Sequence, residues 1–104
     1  MLLTVDIGNT NITMALIDED CRIHGTFRVT TKSKRTSDEY GMNLMEFCRM
    51  SNVTVNEIKD VIISSVVPKV MYAFNNSIRK YIHKEPIIVG PGIRTGISML
   101  REES

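Results

Sequence analysis

The spacing of apolar and polar positions changes twice along the chain. Residues 2–7, LLTVDI, form a short β-rich run, and residues 11–18, NITMALID, form another beyond a turn of small polar side chains. A second turn, Asp18-Glu19-Asp20, leads into residues 21–30, CRIHGTFRVT, which alternate as a half-buried strand does. Links this short join antiparallel neighbours, because a parallel pair needs a long crossover.

From Thr36 the spacing lengthens to that of a helix. Thr36 and Glu39 have capping-box spacing, and Tyr40, Leu44, Phe47 and Cys48 follow at i, i+4, i+7 and i+8. The pattern predicts an amphipathic helix of about 15 residues, with Gly41 the residue that fits it least. Thr54 and Glu57 repeat the capping spacing before Ile58 and predict a short helical turn. Residues 60–66, DVIISSV, are apolar without alternation, as in a strand covered on both faces. Pro68 suits the first turn of a second helix, where its missing N–H costs nothing. Val70, Met71, Phe74, Ile78, Tyr81 and Ile82 mark that helix's buried stripe. Pro86 opens a last strand, PIIVG, running into GPGIRTGI at 90–97. The order β-β-β-α-β-α-β predicts an α/β fold whose mixed five-stranded sheet has its later strands parallel to the first.

Composition narrows the possibilities. With 104 residues and 42% hydrophobic content the chain reads as one domain, and its net charge of +1 argues against any general attraction to nucleic acid or membrane. No apolar run approaches the ~18 residues of a bilayer span. The N-terminus lacks a signal peptide's basic segment, so a cytoplasmic location is expected. Cys21 and Cys48 lack the paired spacing of a disulfide or zinc site, and Cys48 reads as a small core hydrophobe. His24 and His83 have no second ligand at metal spacing and read as surface residues. Met42, Met45, Met50 and Met71 read as core filling, with an interface the alternative. The one basic cluster, Lys32-Ser33-Lys34-Arg35, is either a solvated loop or an anion or partner contact.

Three stretches carry candidate chemistry. In VDIGNTN, residues 5–11, Asp6 is expected to project its carboxylate past the end of the first strand. Gly8 would admit a ligand close to the backbone, and the amides of Gly8 to Asn11 would form a nest for anionic oxygens. An acid beside such a cradle makes electrostatic sense with Mg²⁺ between them, since that ion binds through one or two carboxylates plus phosphates. A plain hairpin turn fits the same residues. Ser64 and Ser65 close a buried strand just ahead of Pro68, where helix amides attract anions or the serines simply cap the helix. GPGIRTGI places Arg94 and Thr95 in a shaped loop at the carboxyl end of a strand, either lining a ligand or making a long turn.

Together and in this order, Asp6-Ile7-Gly8-Asn9-Thr10, Ser65-Val66-Val67-Pro68 and Pro91-Gly92-Ile93-Arg94-Thr95-Gly96 resemble the type III pantothenate kinases over the whole chain. The resemblance implies an RNase H-like lobe of the actin-like ATPase superfamily. It implies ATP-dependent phosphorylation of pantothenate, the first step of coenzyme A synthesis. It also implies a requirement for Mg²⁺ and a monovalent cation (K⁺ or NH₄⁺), and a homodimer with pantothenate near the subunit interface. On that reading Asp6, Ile7, Gly8, Asn9, Thr10, Asn11, Ile12 and Thr13 hold the ATP phosphates and Asp6 holds the metal. Gly92, Arg94, Thr95 and Gly96 line the substrate side.

Family members have two lobes and, beyond this loop, a Gly-Ala-Asp-Arg segment whose aspartate resembles a general base. The expectation is therefore that residues 1–104 are a single N-terminal lobe, without the C-terminal lobe. No catalytic residue is expected within it, the base being expected beyond Ser104. Arg101 stands near a position where many members have tyrosine. Other readings are a non-catalytic binding or regulatory module of the same fold, and a superfamily kinase acting on a sugar or acetate.

Overall fold

The computed structural model describes residues 1–31 and 34–90. Its elements are β1 (Leu2–Ile7), β2 (Asn11–Ile17), β3 (Ile23–Thr30), α1 (Ser37–Met50), a 3-10 turn (Val55–Glu57), β4 (Asp60–Ser65), α2 (Pro68–Ser77), a π turn (Ile78–Ile82) and β5 (Ile87–Val89). The strands form one five-stranded sheet in the order β3-β2-β1-β4-β5. β1, β2 and β3 are antiparallel neighbours, and β4 and β5 run parallel to β1, as the connection lengths require.

The third strand begins later than its alternation suggests. Cys21 takes a left-handed φ of 62° and its amide donates to the Asp18 carbonyl oxygen at 3.0 Å. Asp18 organises this turn: its carboxylate accepts from the amides of Asp20 (2.9 Å) and Arg22 (3.0 Å) and pairs with His24 Nε2 at 2.7 Å.

Both helices pack on one face of the sheet. Leu3, Val5, Ile7, Ile12, Met14, Leu16, Val61 and Ile63 meet Tyr40, Leu44, Phe47, Phe74, Ile78 and Ile82, all essentially inaccessible to solvent. Burying each such side chain is worth roughly 1.5–3 kcal/mol, against about 1 kcal/mol for a helix cap, so packing, more than capping, holds the helices in place. The Thr36 cap is nonetheless complete. Its hydroxyl accepts from the Glu39 amide at 3.1 Å, and the Glu39 carboxylate accepts from the Thr36 amide at 2.9 Å. At the 3-10 turn, Glu57 reaches back to the Thr54 amide and hydroxyl at 3.2 and 3.1 Å.

Two expectations about the helices change. Met42 and Met50 are 67% and 61% exposed, because they fall on the outward side of α1, away from Tyr40, Leu44 and Phe47. Tyr81 is only half-buried, because the chain leaves α2 through a π turn whose His83 amide donates to the Ile78 carbonyl oxygen at 3.0 Å. The added residue turns Tyr81 out of the stripe and over Gly41 of α1, where its hydroxyl donates to Asp38 Oδ1 at 2.7 Å. Gly41, the misfit of the helical pattern, is what lets that ring approach.

Candidate functional site

Register places the candidate residues of β1, β2 and β4 abreast. Asp6 pairs with Thr13 on one side and Ser64 on the other, and Thr13 in turn pairs with Arg28 of β3. Side chains alternate between faces along a strand. Leu3, Val5 and Ile7 therefore face the helices, while Asp6 points to the opposite face with Thr13 and Ser64. All three are buried, Asp6 to 4% exposure. This corrects the expectation for Asp6: it stands one residue inside β1, and its carboxylate belongs to a polar row on the sheet face, not to the space past the strand end.

Ile7 and Ile12 close the hairpin on the helix side, both fully buried, so their side chains serve the core. Gly8 through Thr10 make the turn. The Gly8 amide donates to the Asn11 carbonyl oxygen at 2.9 Å, so the expected nest of four amides is reduced at its first member. Gly8 does not adopt a left-handed φ, and what glycine supplies is room: a Cβ there would lie 3.2 Å from the Asn11 carbonyl oxygen. Asn9 and Thr10 are exposed, and neither amide has a partner among the described residues.

Thr31 fixes this turn from outside. Its amide donates to the Thr10 carbonyl oxygen at 2.9 Å and its hydroxyl to the Gly8 carbonyl oxygen at 3.0 Å. Sequence reasoning missed this residue. The available signal was the β2–β3 register: once Asn11 faces Thr30, residue 31 comes level with the turn.

The serines at the end of β4 do not cap α2. Ser65 Oγ accepts from the Val67 amide at 3.0 Å and donates to the Val67 carbonyl oxygen at 3.1 Å, bracing the bend between strand and helix. The Val66 amide donates to the Ile7 carbonyl oxygen at 3.1 Å and ties that bend to the end of β1. The N-cap of α2 is Val67, which offers no side-chain hydrogen bond. Gly92, Arg94, Thr95 and Gly96 lie outside the described residues, and so does Ser104, beyond which the catalytic base is expected.

As expected, Cys48 is buried in the core, which pushes its thiol pKa up, while Cys21 is exposed. No group of three or more His, Cys, Asp or Glu residues placed to hold a metal occurs among the described residues. Asp6 with the hydroxyl-bearing neighbours Thr13 and Ser64 is an all-oxygen set. It fits an ion of the Mg²⁺ kind, which binds through few protein ligands. No helix among the described residues is long and apolar enough to cross a membrane.

Comparison with known proteins joins this geometry to a family. The sequence model described as "Type III pantothenate kinase" matches residues 2–104. A type III pantothenate kinase of Bifidobacterium longum (strain DJO10A) is 54% identical over 99 residues, covering 95% of this chain and 38% of the relative. One from Agathobacter rectalis is 50% identical over 97 residues, covering 93% of this chain and 37% of the relative. The chain thus spans less than half the length of these curated relatives. A ROK hexokinase from Thermus thermophilus superposes with a TM-score of 0.63 at 11% identity, covering 86% of this chain and 34% of the hexokinase. That likeness shows a shared fold.

Proposed function

Because the chain belongs to the type III pantothenate kinase family, we propose that it is the phosphate-binding lobe of an ATP-dependent pantothenate kinase. On this reading the exposed Asn9 and Thr10 amides, with the Asn9, Thr10 and Asn11 side chains, receive the terminal oxygens of ATP. Asp6 holds Mg²⁺ through its carboxylate, beside Thr13 and Ser64. Mg²⁺ when bound offsets the negative charge of the transferring phosphoryl group. Thr31 keeps the turn in one shape, which matters because phosphoryl transfer depends on positioning and electrostatics more than on covalent chemistry by the protein. Gly92, Arg94, Thr95 and Gly96 are assigned the pantothenate side on the strength of the family resemblance, together with a monovalent cation, a cytoplasmic setting and a homodimer in the full-length enzyme. The base for the pantothenate hydroxyl is assigned to the part of the family's length that lies beyond the position of Ser104.

The observation that carries the reading is the register. It sets Asp6, Thr13 and Ser64 side by side, immediately before a turn whose Asn9 and Thr10 amides have no partner among the described residues. The test is a chimera in which this chain replaces the matching segment of the Bifidobacterium longum relative. Pantothenate-dependent ADP release is expected, and its loss in Asp6→Ala. A folded chimera that turns over a sugar or acetate in preference to pantothenate, or an Asp6→Ala chimera of undiminished rate, overturns the assignment.

A further inference from the structure

The basic stretch near residue 34 has no role in that reading, yet the structure sets its described residues on a groove. The groove, of about 440 Å³, lies between the first turns of α1 and α2, with Lys34, Arg35 and Lys69 among its lining residues. It opens on the helix side of the sheet, whereas Asp6, Thr13 and Ser64 face the other side; Thr31, which also lines it, joins its rim to the Gly8–Thr10 turn. None of the three cations pairs with a carboxylate among the described residues; Arg35 donates to the Thr30 carbonyl oxygen. The lining also includes the first turn of α2. With Val67 as a cap without a side-chain acceptor and Pro68 at the first position, the amides of Lys69 and Val70 are left open, and the helix dipole adds partial positive charge there.

A second observation points to an organic ligand and away from a bare ion. Tyr40 lines the groove, is 1% exposed, and packs its ring against Phe74 with centroids 5.0 Å apart. Its hydroxyl has no partner among the described residues and keeps a little solvent contact, so it is open to a ligand at the groove. Val67, Val70 and Ala73 supply an apolar floor. A bare anion would leave both the floor and the Tyr40 hydroxyl unused.

We propose that this groove binds a phosphate monoester with a short aliphatic group: the phosphate on the cationic rim and the Lys69 and Val70 amides, the aliphatic group on the floor, an oxygen acceptor to Tyr40. Three cations and two open amides suit a dianionic head better than a single carboxylate.

Butyl phosphate, inorganic phosphate and butanoate, titrated separately into the 104-residue chain, test this by the amide signals of Lys69 and Val70. A buried methylene is worth about fourfold in affinity, so butyl phosphate is expected to bind about tenfold more tightly than inorganic phosphate, and more tightly than butanoate. Lys34→Ala and Lys69→Ala should each weaken it about two- to fivefold. Tyr40→Phe, which preserves the ring packing, should weaken it too, while Lys59→Ala at the opposite end of the sheet should not. Inorganic phosphate binding as tightly as the ester means an adventitious ion only and overturns the proposal. So does butanoate binding as tightly as the ester, or an absence of shifts in a folded chain. None of these outcomes bears on the Asp6 row, whose test is turnover of the chimera.

Discussion

The Thr31 hydroxyl and the Gly8 carbonyl oxygen lie 3.0 Å apart across 23 positions of sequence, and this bond clasps the turn proposed to hold phosphate. Thr31→Val keeps the shape of the side chain and removes the donor. A loss of about 1 kcal/mol in urea unfolding is expected, with displaced Asn9 and Thr10 amide signals. Thr31→Ser should restore both. Unchanged signals in the valine variant would show that the turn holds its shape without the clasp.

A Cβ on Gly41 would overlap the Tyr81 ring. Helix propensity alone favours alanine there by about 1 kcal/mol, but overpacking costs about 1–3 kcal/mol. The ring is held in place by the Asp38 bond at 2.7 Å and cannot swing aside freely. Gly41→Ala is therefore expected to destabilise the chain, and the same change in a Tyr81→Ala background to stabilise it. Denaturant melts of the parent, both single variants and the double variant give the coupling, and additive effects would contradict it.

Asp6 carries the metal role in the proposed function. In the chimera, Asp6→Asn should abolish the Mg²⁺ dependence of nucleotide binding while leaving any Mg²⁺-free binding in place, because the phosphate contacts come from the turn. Calorimetry with and without Mg²⁺ reads this directly. A variant that keeps its Mg²⁺ dependence would move the ion elsewhere.

The Asp18 carboxyl is held below its usual value of 3.8 by the hydrogen bond from the Arg22 amide, then by the His24 side chain and the Asp20 amide. A folded-state value below the unfolded one contributes stability that is present in full above the unfolded value and is lost as pH falls through the folded value. Asp18→Asn should accordingly be less stable than the parent at neutral pH, with the difference shrinking as pH falls from 3.8 downward. Urea midpoints measured across that range check the sign. A difference that widens in acid would refute it.

Much of this architecture was legible from spacing. The Thr36–Glu39 cap, the Tyr40-Leu44-Phe47-Cys48 face and the short links between the first three strands depend on residues close in sequence, so a linear pattern reports them. The Gly8 turn was legible as a turn for the same reason. Thr31 was not, since its partners, Gly8 and Thr10, come into reach only when β3 pairs with β2. Nor was the outward turn of Tyr81, which depends on one extra residue in a helical turn.

By itself the sequence determined the element order, the five strands and two helices, and the family, because period, caps and ordered motifs are local properties of the chain. The tertiary structure alone decided that Asp6, Thr13 and Ser64 stand in one buried row and that Lys34, Arg35 and Lys69 share a groove with Tyr40. The physical reason is register and packing. Which residues stand abreast is fixed by backbone pairing between distant strands and by how two helices seat on one sheet face, and neither leaves a mark at short range in the sequence.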